Sequence, residues 1–200
     1  MSLIKPNIYS TLMKKLSITI MAFVAVATMS FKPVPEKLVS KDTHISFFSH
    51  TIAEDITANN YKVVSTLDKS TGEIVFSVPM QSFEFEKALM QKHFNSKDFL
   101  DTKEFPKAKY TGKITNLSEI NLTKDGNYEA MAKGELTIKG VTNPVNEKGT
   151  IKVEGNKITL TVIMNITLAD YKISFSKGKP STNVAKQVEA TVNAIYTDKP

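Results

Sequence analysis

Apolar and polar residues alternate with a period of two through most of this chain. The clearest row runs from Lys157 to Ala169. There Ile158, Leu160, Val162, Met164, Ile166 and Leu168 share one face, and Thr159, Thr161, Asn165 and Thr167 take most of the other. Successive strand side chains point to opposite sides of a sheet, so such a row predicts a strand with one buried face. Ile74, Phe76, Val78 and Met80 form a second row, and Val188, Ala190, Val192, Ala194 and Tyr196 a third. HISFFSHT, NNYKVVSTLD, KYTGKITNL, YEAMAKGELTI and GTIKVEG add further strands. The connections DKSTGE, TKDGN and EGNK carry the Gly, Asn and Asp that hairpin turns require. Strand signals recur about every dozen residues without a βαβ spacing, which predicts an all-β antiparallel barrel or sandwich.

Two segments depart from the rhythm. The first is the row Tyr128, Ala130, Ala132, Gly134, Leu136 and Ile138, whose three consecutive small residues cannot fill a barrel interior. Either a neighbouring aromatic packs down onto them or a cavity remains, and Gly112, between Tyr110 and Ile114, poses the same choice. Barrels of about eight strands are wide enough to hold one small ligand. The second is ALMQKHFNSKDFLDTKEFPKAKYTGKI, residues 88–114. Its first part belongs to a candidate helix from Phe83 to Asn95, with Phe85, Leu89 and Phe94 on an apolar face. So short a helix suits a plug or lid better than a separate layer.

Candidate chemistry is sparse. The three histidines are His44, His50 and His93. His44 and His50 lie six apart on one expected strand, hence on one face and about 20 Å apart, too far to share an ion. No metal site is expected, and His93 reads as a structural histidine at a helix end. There is no cysteine, hence no thiol nucleophile or disulfide. No G-x-S-x-G elbow, P-loop or dinucleotide fingerprint occurs. Asp98, Asp101 and Glu104 could suggest an acid–base pair, but Lys97, Lys103 and Lys107 interleave with them as in a solvated loop. No catalytic residue and no cofactor are therefore assigned.

Composition then bounds the setting. Lys14 and Lys15 precede the short apolar run LSITIMAFVAVA, and Ala25-Val26-Ala27 offers a small-x-small site. This reads as a signal peptide over residues 1–27, with an uncleaved anchor as the alternative. Residues 28–35 form a Pro-bearing lead-in, and 36–200 the domain proper. The formal charge of +6 shrinks accordingly: without Lys5, Lys14 and Lys15, 23 lysines face 20 acids, a net +3. Every basic residue is a dispersed lysine, whereas nucleic-acid readout leans on arginine forks and basic clusters. No nucleic-acid partner is expected.

The motifs together resemble the YceI-like family of secreted bacterial proteins. His93-Phe94, Asp98-Phe99-Leu100-Asp101, Phe105-Pro106 and the later stretch Gly134 to Val145 occur in that family's order, and DTHISFFSHT is similar to its first strand. The resemblance spans residues 36–197. Gln91-Lys92 stand where the family commonly has Arg-Asp, and the C-terminal stretch also differs. The resemblance implies a lipocalin-like antiparallel barrel of about eight strands with one short helix. It also implies export to the periplasm or beyond, and a non-enzymatic role holding a long isoprenoid or other apolar lipid as carrier or scavenger. It leaves room for peripheral membrane contact and for an oligomer. On that reading Ala130, Ala132 and Gly134 make room for the chain. Ile74, Phe76, Val78, Tyr110, Ile114, Val162 and Met164 are candidate walls, while Phe83, Phe85, Leu89 and Phe94 close one end. The alternatives are a ligand-free envelope stress or adhesion module and a histidine-dependent metal enzyme.

Overall fold

The computed structural model describes residues 37–51, 54–174 and 185–198. The expected signal peptide and lead-in lie outside the described residues. Nine strands appear within them: β1 Lys37–His50, β2 Asp55–Asp68, β3 Glu73–Pro79, the two-residue β4 Glu84–Phe85, β5 Lys107–Ile114, β6 Gly126–Ile138, β7 Val141–Glu154, β8 Lys157–Thr167 and β9 Gln187–Thr197. One helix, α1, spans Ala88–Asn95. The sheet runs β1-β9-β8-β7-β6-β5-β3-β2-β4, and β1 also pairs with β2. That last pairing closes eight long antiparallel strands into a barrel and leaves only β4 outside the ring. Closure removes the free strand edges that would otherwise invite aggregation.

The expected helix from Phe83 to Asn95 is too long. Glu84 and Phe85 are extended and pair with Asn59 and Ala58 of β2, so helix begins only at Ala88. This resets the helical phase. Phe94 is buried, whereas Leu89 is 57% exposed.

The interior has two unlike halves. Toward one end Val63, Leu67, Ile114, Ile151, Val153, Ile158 and Tyr196 are almost wholly buried. The connection after β5 seals that end: the Asn116 amide donates to the Glu129 carbonyl at 3.0 Å, and its Oδ1 accepts the Met131 N–H at 2.9 Å. Ile120 lies buried beneath it. The Tyr196 hydroxyl, deep in this half, makes no hydrogen bond. Burial pushes its pKa up to about 12.

The opposite end carries α1 and the motif-bearing loop 96–106. Thr102, 1% exposed, donates to the Asn95 side chain at 2.8 Å, and its carbonyl accepts the Gln81 amide at 3.1 Å. The Met80 N–H reaches the Pro106 carbonyl at 2.9 Å. Lys139 and Gly140, at φ of 50° and 74°, make the β6–β7 turn. Two positive φ values give the turn twist that matches a hairpin. A Cβ on Gly140 would lie 2.8 Å from the Phe105 ring, and the Lys139 ammonium donates to the Phe99 carbonyl at 2.5 Å. The two sequence motifs are therefore one joint: Phe105 roofs the Gly140 turn, and Lys139 grips the loop that carries Phe105.

Two outcomes follow. Gly140→Ala combines a left-handed backbone with a clash on an aromatic ring and should cost about 2–3 kcal/mol. Gly155→Ala, at φ 58° in open space, should cost only about 1 kcal/mol; denaturant titration of the two variants measures the difference. For Tyr196 the folded pKa exceeds the unfolded value of about 10. The stability given by the neutral phenol is whole below pH 10 and is lost as pH rises from about 10 to about 12. Tyr196→Phe should therefore stay within about 1 kcal/mol of the parent at pH 7 and lose less stability above pH 10.

Candidate ligand cavity

Inward rows that fill the sealed half fall short of filling the half under α1, where a cavity of about 440 Å³ remains. That lies within the usual range for small-molecule sites, about 300–1,000 Å³. Ile45 and Phe47 from β1, Ile74, Phe76 and Val78 from β3, Leu160, Val162, Met164 and Ile166 from β8, and Val188, Ala190 and Val192 from β9 wall it. An aromatic cluster caps it. Phe47 and Phe94 stack on each other, and each meets Phe83 and Phe85 tilted or edge-on, with ring centroids 5.0–5.7 Å apart. Met90 and His93 of α1 border the same space.

Of the residues expected at a lumen, Ile74, Phe76, Val78, Phe83, Phe85, Phe94, Tyr110, Ala132, Val162 and Met164 stand on this wall. Four do not. Ile114 and Ala130, at 1% and 2% exposure, belong to the sealed half. Leu89 faces away because the helix starts late. Gly134 is covered by Tyr110: Gly134 pairs with Gly112 across the β5–β6 ladder, and a Cβ on either would collide with the Tyr110 hydroxyl. The small-residue row thus does both things open to it. An aromatic ring lies over the two glycines, and space remains beside Ala132.

The histidines stay apart. His44 stacks on Tyr61 at 4.5 Å and bonds Asn59 at 2.9 Å. His50 pairs with Asp55 at 2.6 Å on the exposed surface. At His93 the main-chain carbonyl ends the helix by accepting the Ser96 N–H at 3.1 Å and hydroxyl at 2.7 Å. Among the described residues no three His, Asp or Glu side chains gather as a metal site would require.

Several wall residues, among them Ile45, Phe47, Leu160, Ile166, Val188 and Val192, were not in the expected set, and one acid among the missed residues bears on chemistry. Glu147 of β7 lines the cavity beside Tyr110 and makes no hydrogen bond or ion pair with the described residues. Burial raises its pKa; burial and then the Glu147 charge raise that of Tyr110. The signal lay in the alternation: Val145, Glu147, Gly149, Ile151 and Val153 form one inward row. The flanking charges Lys148 and Lys152 masked it.

The YceI-like domain model matches residues 37–195. The chain belongs to that family. Its YceI-like domain is 28% identical to a UPF0312 protein of Shewanella denitrificans over 121 residues, 58% of this chain and 60% of that one. With a UPF0312 protein of Pseudomonas fluorescens it shares 42% over 64 residues, 32% and 31% of the two chains. The matches thus span less than two thirds of these relatives. Among solved structures, BcnA of Burkholderia cenocepacia superposes with a TM-score of 0.65 at 19% identity, over 78% of this chain and 96% of that one. A polyisoprenoid binding domain from Saccharophagus degradans, implicated in plant cell wall breakdown, superposes at 0.69 and 12% identity, over 83% and 100%. At such identities the likeness establishes the YceI-like barrel fold alone.

A raised carboxyl pKa has a definite sign. The folded state holds the Glu147 proton more tightly than the unfolded chain, so its contribution is whole at pH below about 4 and is lost as pH rises through the folded value. Glu147→Gln should leave the melting temperature at pH 7 equal or slightly raised, the carboxylate being only partly buried. Any gain should fade toward pH 4, as differential scanning calorimetry across that range would record.

Proposed function

We propose that this YceI-like domain is an exported, non-enzymatic binding protein that holds a long apolar lipid in its half-hollow barrel, as carrier or scavenger. The observation that carries the proposal is the asymmetry of the interior. One half is filled by almost wholly buried side chains, while the other keeps a mostly apolar cavity under an aromatic cap. Filling that space with side chains would have cost nothing in chemistry and would have added packing stability. A polyprenyl or acyl tail needs only apolar surface and length, at about 0.8 kcal/mol per buried methylene. Roughly ten methylenes would supply about 8 kcal/mol before the entropy of association is subtracted. The polyisoprenoid binding of a structural neighbour is consistent with such a tail, and the expected signal peptide supports export.

Organic extraction of the natively purified protein followed by mass spectrometry is the direct test. A polyprenyl or acyl species at stoichiometric yield is expected, and clean protein after exposure to envelope lipids would defeat the carrier role. Ala132→Phe, which puts a ring into the space beside Tyr110, should lower that yield by about tenfold while the barrel keeps its circular dichroism and melts within about 3 kcal/mol of the parent. Undiminished lipid in this variant would move the ligand elsewhere.

A further inference from the structure

The wall of the cavity parts at one place. β7 and β8 pair from Glu154–Lys157 as far as Gly149–Val162 and no further. Beyond that fork β7 stays with β6 up to Val141, and β8 stays with β9 up to Thr167. Above the fork β7 is tied instead to the turn after β8, where the Asn143 amide donates to the Asp170 carbonyl at 2.8 Å. Glu147 sits two residues above the last pair, on the inward face.

The residues around it are small. Glu147 stands opposite Ala132 across the β6–β7 ladder, and Gly149 follows it on the same face. Gly134 lies one inward position along β6. A carboxylate set among apolar walls with no partner destabilises the fold, and this one has been given room in place of a neutralising lysine. The Tyr110 hydroxyl is likewise without a hydrogen bond among the described residues and lies close enough for the Glu147 charge to act on it. The two groups are therefore unmatched polar atoms at the junction between an apolar lumen and the fork. An amphiphile has the same layout, a polar end on an apolar tail.

Building on the carrier role, we propose that Glu147, with Tyr110 beside it, is the head-group site of the cavity and selects long-chain amphiphiles whose polar end donates a hydrogen bond and carries no negative charge. Alcohols and amines share that chemistry. A prenyl phosphate would place its anion against an uncompensated, partly buried carboxylate, where like charges repel.

The test compares four C20 isoprenoid probes with one tail: the hydrocarbon, the alcohol, the primary amine and the monophosphate. Each displaces the neutral dye N-phenyl-1-naphthylamine from the full-length protein. Alcohol and amine should bind at least about tenfold more tightly than phosphate, as one charge-assisted hydrogen bond would provide. In Glu147→Gln the amine-to-phosphate preference should collapse by about tenfold or more. Tyr110→Phe keeps the ring over the glycines and should shift the alcohol-to-phosphate ratio in the same direction by a smaller factor. Comparison of alcohol with amine shows which donor the site prefers. Phosphate binding as tightly as alcohol, or preferences untouched in both variants, would overturn the head-group site while leaving the carrier role standing. Failure of all four probes to displace the dye would overturn both.

Discussion

Side-chain volume on the inward rows governs this molecule. An eight-stranded barrel has an interior just wide enough for its own side chains, so each inward residue either fills the lumen or leaves it hollow. Toward the sealed end the rows present Leu67, Ile114, Ile151, Val153, Ile158 and Tyr196 at nearly full burial. Toward the helix end one patch of β5, β6 and β7 presents Gly112, Ala132, Gly134 and Glu147 under the Tyr110 ring, among larger walls such as Phe76, Val162 and Met164. The sealed half gives the fold a core that needs no ligand. The hollow half can then remain apolar and open without unfolding the barrel.

The helix-end joint follows from that division. A barrel open at one end exposes its inner wall, and the loop after β3 is folded over it. The closing contacts are mainly Phe47, Phe83, Phe85 and Phe94 against one another. The loop itself is held by Thr102, Phe105 and Lys139, so these motif residues anchor the cap. His93 ends a helix; Asp101 takes a positive φ and accepts the Glu104 and Phe105 N–H groups. Main-chain carbonyls of His93 and Asp101 thus shape this stretch, and the cavity it roofs is mostly apolar.

Much of this was legible in the chain. Period-two rows in β3, β8 and β9 set both the strands and their buried faces, because one-sided burial leaves a simple alternation. The walls at Phe76, Val162 and Met164 followed from the same rows. Depth along the barrel was not legible: Ile114 and Val162 alternate alike, yet one packs in the sealed core and the other borders the cavity. Helix phase failed for a similar reason. Phe85, Leu89 and Phe94 fit a helical face, but β-pairing of Glu84–Phe85 with β2 is a long-range contact that local periodicity cannot encode. The first half of β7 was also missed, since Asn143, Glu147 and Lys148 obscure its alternation. Glu147 was thus passed over, although a lone acid in an inward row is itself the signal.

The central claim is that ligand enters one half of the barrel and not the other. Methyl-labelled protein titrated with a C20 isoprenoid alcohol, read by NMR, addresses this residue by residue. Ile45, Val162, Met164, Ile166 and Val192 should shift and show contacts to the tail, while Leu67, Ile151, Val153 and Ile158 should hold their positions. Contacts to the tail throughout both sets, or only on exposed methyls such as Val39 and Ile163, would contradict the account.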